Sequence, residues 1–218
     1  MHDIIVPTFG LAAHTALMIY ILVGLTIFLA VMSGRLALVP GKTQSILELT
    51  VGTFTGLIEE TMGEHGKKYL PFILTFALFI FVANVLGMIP GLLPPTANIN
   101  TTVGLALIVF VVTHIIGIKE HGVKYIKHFM GPIWWLTPLM LPLEIVGHLA
   151  RPVSLSLRLF GNMMGHEQIV GVLLMLMPFA YPLLAFSTVL GVLVIFIQAF
   201  IFALLAMLYI AGAIEEAH

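Results

Sequence analysis

The stretch Glu144-Ile-Val-Gly-His-Leu-Ala-Arg151-Pro-Val-Ser-Leu-Ser-Leu-Arg158-Leu-Phe-Gly-Asn162-Met-Met-Gly-His166-Glu167 decides how this chain is read. It holds four formal charges inside a long apolar segment. At about 100° per residue, positions 144, 147, 151, 154, 158, 161, 162 and 165 fall in a sector roughly 100° wide. Their identities are Glu, Gly, Arg, Ser, Arg, Gly, Asn and Gly. One helix face is therefore small and polar over some ~30 Å, while Leu149, Val153, Phe160 and Met163 occupy the rest. Gly161 and Gly165 permit close approach of another helix, and Pro152 can bend the segment. Packing accounts for the glycines. It does not account for an arginine on the same face.

The rest of the sequence places that helix in a membrane. The chain has 218 residues, 60% of them hydrophobic and 9% charged, with no cysteine. An ordinary soluble domain is about 45–50% apolar and about 25% charged. There is too little charge to cover a water-facing globule, which excludes a soluble enzyme, a nucleic-acid binder and a disordered regulator. A net charge of −1 offers no phosphate-binding footprint. Without cysteine there is no disulfide framework, thiolate nucleophile or Cys-ligated metal.

A bilayer crossing needs about 20 apolar residues. Five stretches qualify, at about 11–32, 70–89, 101–118, 136–177 and 183–213. The first follows Met1-His2-Asp3 with no basic leader and no clear cleavage site, which predicts a retained span rather than a signal peptide. Turn-rich sequence at Pro90–Pro95, and again at Pro178–Pro182, separates neighbouring spans. The last two stretches exceed one perpendicular crossing, so those helices are expected to be tilted or kinked. Residues 43–63 place Leu47, Val51, Phe54, Ile58 and Met62 at helical spacing, with Glu48, Glu59 and Glu60 elsewhere. This pattern predicts an amphipathic helix on the cytoplasmic surface, with Ser45 and Glu48 as a capping box. The expectation is an all-α polytopic membrane protein, a single membrane domain over 1–218. No internal repeat supports an inverted-repeat transporter.

Basic residues orient the chain. Arg35, Lys42, Lys67 and Lys68 lie between the first and second spans, and Lys119, Lys124 and Lys127 between the third and fourth. The other connections carry none. The positive-inside rule makes both basic loops cytoplasmic, with the N-terminus outside and Glu215-Glu216 inside.

An Arg or Lys at a helix centre costs at least about 2.5–3.5 kcal/mol, which marks intramembrane charges as functional candidates. Arg151 and Glu144 lie nearer the cytoplasmic end and can snorkel, so Arg151 is as readily structural as functional. Arg158 sits deeper. Glu167 is about 180° around the helix from it, and Glu144 about 21 Å along it. No acidic residue occurs in the third or fifth span. Arg158 therefore calls for a carboxylate on another polypeptide. It stays protonated under physiological conditions, so it fixes a cation rather than passing protons. His166, Glu167 and Gln198, with Ser187 and Gly191 on the face of Gln198, suit proton relays. A purely interhelical hydrogen-bonding role remains open for Gln198.

Other motifs fail. Gly41-Lys42-Thr43 lacks a phosphate loop's first glycine, since position 36 is Leu. His166-Glu167 lacks the second zinc-binding histidine, since position 170 is Val. A stand-alone transporter that binds an anion at Arg158, and an intramembrane hydrolase using His166-Glu167, stand as the competing readings.

The stretch from Arg151 to Glu167 closely resembles the signature of the F-type ATP synthase subunit a family. Asn84-Val-Leu-Gly-Met-Ile-Pro90, Pro95-Thr-Ala-Asn-Ile-Asn100 and Gln198-Ala-Phe-Ile-Phe202 resemble it too. The resemblance implies a non-catalytic stator in a bacterial plasma membrane, set against a rotating c-ring and joined by peripheral-stalk b subunits. It implies two proton half-channels, one from outside and one to the cytoplasm. It makes Arg158 the residue that separates them and drives the c-ring carboxylate to ionise. Asn162 and Gln198 match residues beside that arginine. Glu167 matches the outer half-channel acid and Glu144 the inner one, and Ser154 fits the inner path by position. No nucleotide, nucleic acid, cofactor or metal is implied for this chain. Enteric-bacterial members of the family carry Gly at the position of His166 and His at that of Gly191. The exchange implies that positions 166 and 191 are neighbours, with one imidazole serving one site.

Overall fold

The computed structural model describes residues 11–89, 92, 94–122, 125, 137–175 and 181–214. Among them are six α-helices, two short 3-10 turns and no strand. The helices are α1 (Ala13–Ser33), α2 (Lys42–Met62), α3 (Leu70–Leu86), α4 (Ile99–His121), α5 (Thr137–Met175) and α6 (Tyr181–Ile214). Each lies on a segment the apolar pattern predicts, with ends shifted by a few residues. α1, the segment Glu64–Leu86 that contains α3, α4 and the Ala185–Ile214 part of α6 are long and apolar enough to cross a membrane. α5 is not among these four, because its 39 residues include Glu144, Arg151, Arg158 and Glu167. It runs unbroken through Pro142 and Pro152. The turns expected at Pro90–Gly91 and before Tyr181, with Lys124, Lys127 and Glu215-Glu216, lie outside the described residues.

The expected capping box is corrected. α2 starts at Lys42, three residues before Ser45, with extended Gly41 as its N-cap. The Ser45 hydroxyl donates back to the Gly41 carbonyl (3.1 Å). Glu48 instead accepts from the Gln44 amide (2.8 Å), whose carbonyl and amino groups also hold the backbone of Ala37. A competing side chain one turn earlier took the Glu48 carboxylate. Only Phe54 and Ile58 of the α2 stripe are buried; Val51 is exposed.

The core forms where small residues let α6 approach α3 and α4. Ala199, Ala203 and Ala206 are buried along α6, and Phe202 stacks on Phe76 of α3 at 5.9 Å between ring centroids. Leu155 and Leu159 of α5 join this cluster with Phe79, Ile80, Leu105 and Val109. A second cluster gathers Phe54 and Ile58 of α2 with Ile73, Ile116, Met207 and Ile210. Near it, Lys68 pairs with Glu120 while the Tyr69 hydroxyl donates to the same carboxylate (3.2 Å). His121 Nε2 donates to the Ile214 carbonyl (3.0 Å). The start of α3 and the ends of α4 and α6 therefore share one end of the bundle, and that end holds lysines.

At the opposite end the 94–98 connection folds inward. The Thr96 hydroxyl donates to Asn84 Oδ1 (2.7 Å), and both side chains are completely buried. A Cβ on Gly87 would fall 2.7 Å from Pro94 and 2.8 Å from Met163, so glycine there admits the connection against α5. The Asn98 side chain accepts from the Asn100 amide and caps α4 (2.9 Å).

Gly122 ends α4 with φ of +56°, a conformation glycine adopts freely. The chain then returns Tyr125 over Gly117, whose absent Cβ would fall 2.3 Å from the phenol ring. Gly117→Ala is expected to lower stability by about 1–3 kcal/mol through overpacking. Thermal unfolding of the purified protein in detergent measures this, and an unchanged midpoint would mean that Tyr125 swings away without loss.

Candidate functional site

The polar face of α5 points away from the core. Leu155, Leu159 and Met163 are buried against the other helices, whereas Gly147, Ser154, Arg158, Gly161, Asn162 and Gly165 are exposed. A Cβ added at Gly147, Gly161 or Gly165 would meet nothing within 4 Å. Val153, Leu157 and, on α6, Val189, Phe196 and Ile197 are also exposed and apolar. An arginine thus stands in open space on a face of small residues, within a surface otherwise suited to lipid or to another apolar helix.

Arg158 has no carboxylate within ion-pair distance among the described residues. Glu144 and Glu167 are both in the same helix, and neither reaches it. One turn beyond Arg158, Asn162 donates its amide to Gln198 Oε1 of α6 (2.7 Å). Gln198 is 2% exposed, and its Nε2 has no hydrogen-bond partner among the described residues. A buried donor left unmatched costs about 1–3 kcal/mol. The pair brings two sequence-selected residues together from different helices, with one buried N–H of Gln198 left unmatched among the described residues.

His166 lies against Gly191. A Cβ at Gly191 would fall 2.5 Å from the imidazole Cε1 and 2.9 Å from Nε2. The ring of one residue therefore fills the space that a side chain at the other would take, as the exchanged positions imply. Glu167 turns elsewhere, into a cavity of about 410 Å³ shared with His14, Asn98 and Gln168. Ser187 is half-buried on α6 and makes no described contact with these groups.

The other end of the face is organised differently. His148 Nδ1 lies 3.0 Å from the Glu144 carbonyl and 3.5 Å from its carboxylate. The His148 ring meets His114 of α4 edge-on, with centroids 5.5 Å apart. Arg151 stacks over Tyr209 of α6 at 5.4 Å, which gives it a structural contact within the chain. The sequence reading missed His114, His148 and His14. The four-residue spacing of His148 from Glu144 was the one signal available for it. Nothing in sequence ties His114 or His14 to α5. No cluster of three or more His, Cys, Asp or Glu suited to a metal occurs among the described residues.

The fold and this face define a class: among the described residues, an all-helical protein with four helices suited to crossing a membrane and an exposed arginine on its longest helix. Over residues 14–211 the sequence matches the family model described as ATP synthase A chain. It is 53% identical to ATP synthase subunit a 2 of Syntrophotalea carbinolica over 205 residues, covering 94% of this chain and 86% of that protein. It is 56% identical to ATP synthase subunit a of Geobacter sulfurreducens over 198 residues, covering 91% of this chain and 86% of the relative. The corresponding protein of Geotalea daltonii is 54% identical over 200 residues, with 91% and 86% covered. The chain belongs to the ATP synthase A chain family, the membrane subunit a of the Fo proton channel.

Proposed function

We propose that this chain is the stator half of a rotary proton path, a single membrane domain with five crossings and α2 lying on the cytoplasmic surface. α5 is the fourth crossing, its charges tolerated because they face a protein partner and water-filled passages. The N-terminus is outside and the C-terminus cytoplasmic, following the lysines gathered at one end. Protons enter past Glu167 and His166, protonate a carboxylate on a rotating c-ring, and leave past Ser154 and Glu144 after the ring has turned. Arg158 stands between the two passages. As a permanent cation it binds the ionised ring carboxylate, promotes loss of its proton and blocks a direct leak. Asn162 and Gln198 hold the polar surface beside it. Each proton crossing 100 mV releases about 2.3 kcal/mol, which turns the ring; the chain itself performs no covalent chemistry. Peripheral-stalk b subunits hold it against the torque.

The observation that carries this reading is the exposed Arg158, without a carboxylate partner among the described residues, on a face of glycines open to close approach. A ring of small apolar helices, each with one carboxylate at bilayer depth, fits that face. Purification under native conditions tests it. The chain is expected to come out with a small proteolipid oligomer, and recovery as a lone monomer would defeat the proposal in favour of an independent transporter.

A further inference from the structure

Beyond the residues already assigned, α1 brings a histidine to the cavity of Glu167. His14 sits in the first turn of α1, is half-buried, and lines the same cavity of about 410 Å³ as Glu167, Gln168 and Asn98. That volume holds several waters, and its polar lining gives them partners. The orientation of the imidazole is set by its neighbour. Asn98 Oδ1 is committed to the Asn100 amide at the start of α4, which leaves the Asn98 amino group facing His14 Nδ1 at 3.5 Å. An amino group only donates, so Nδ1 is the acceptor and the neutral ring carries its hydrogen on Nε2. Nδ1 is then the basic atom, held at the cavity by a long hydrogen bond that protonation would replace.

We propose that His14 is a proton-relay residue of the outer passage, accepting protons at the cavity and passing them to Glu167. This rests on the reading of Glu167 as the outer acid. The step balances simply: a hydronium in the cavity gives its proton to Nδ1, the Asn98 contact opens, and the imidazolium returns the proton through cavity water to the Glu167 carboxylate. The ring ends neutral and Glu167 neutral. Among the described residues, the ionisable group facing His14 across the cavity is Glu167 on α5; the 94–98 connection lines it with Pro94, Ala97 and Asn98, none of them ionisable, and His166 lies against Gly191 on α6. A neutral imidazole with an acceptor nitrogen at the cavity gives an incoming proton a base to land on, which matters most when protons are scarce outside.

The test is proton flow through the whole membrane complex in vesicles, with the outer-side pH set at about 6 and about 8 on either side of the ordinary imidazole range. His14→Ala is expected to slow flow about tenfold at the higher pH and less than about twofold at the lower, short of the roughly hundredfold loss of a sole proton-transfer group because cavity water still reaches Glu167. His14→Gln, which keeps a polar side chain but cannot titrate there, should behave like His14→Ala. Added imidazole should restore the His14→Ala rate at the higher pH. Equal proportional loss at both pH values, or full function in His14→Gln, would overturn the relay and leave a packing role. Glu167→Gln run alongside separates the two ideas. If that variant keeps normal flow, the outer passage itself is misassigned. If it loses flow while His14→Ala matches the parent at both pH values, only the relay fails.

Discussion

Vesicles carrying Arg158→Ala are expected to make no measurable ATP from an imposed proton gradient, a loss of at least about a hundredfold. That scale follows from removing a fixed charge that acts in a low-dielectric site. Assembly should survive, because the Arg158 side chain is exposed and bonds to nothing within the described chain, so its loss leaves no cavity and no orphaned partner. The same vesicles should leak protons more readily once the cation no longer bars passage between the two half-channels. Arg158→Lys keeps the charge but loses the planar fork and, when desolvated, can release its proton; it should remain well below the parent. The measurements are ATP synthesis, passive proton leak, and the amount of intact complex recovered. Normal synthesis by Arg158→Ala in intact complex would sink the role proposed for this residue.

The second large effect concerns one imidazole and two backbone positions. His166→Gly is expected to lower proton-driven synthesis about a hundredfold or more, the scale for a lost proton-transfer group. Gly191→His alone should also do harm, since its Cβ would fall 2.5 Å from the resident imidazole. Combined, the two substitutions return a single ring to the space between α5 and α6, and most of the activity should return with it. Non-additivity of this sign is the mark of two positions sharing one space. A double variant as inactive as His166→Gly would mean that the site reads which helix carries the ring.

Arg158 was legible in the sequence: its depth in an apolar run, its glycine neighbours and the shortage of acids all follow from residue order. The exchange of His166 and Gly191 could be suspected only from the family resemblance, and the juxtaposition across α5 and α6 came from packing. His14 was invisible as a participant. It lies more than 150 residues from Glu167 in sequence, and only the inward fold of the 94–98 connection, anchored by Asn84 and Thr96, brings α1, Asn98 and α5 to one cavity. The capping box at Ser45 failed for a local reason. Gln44 captured Glu48 and the Ala37 backbone, a competition that a four-residue motif does not register.

By itself, the sequence determined the approximate limits of the six described helices, and that their surroundings are largely apolar. A 3.6-residue period and the energetic penalty of unpaired charge in hydrocarbon act locally, so residue order suffices to read them. It also determined that Arg158 must look outside its own helix for a partner. Which polar groups meet was decided only by tertiary structure. Asn162 finds Gln198, His166 covers Gly191, His148 meets His114, and Glu167 shares a cavity with His14. Those meetings depend on how closely Gly87 and the alanines of α6 let backbones approach, and on the angular register of one packed helix against another. Register between helices is a property of the assembled core, where side-chain volumes on several segments must fit at once.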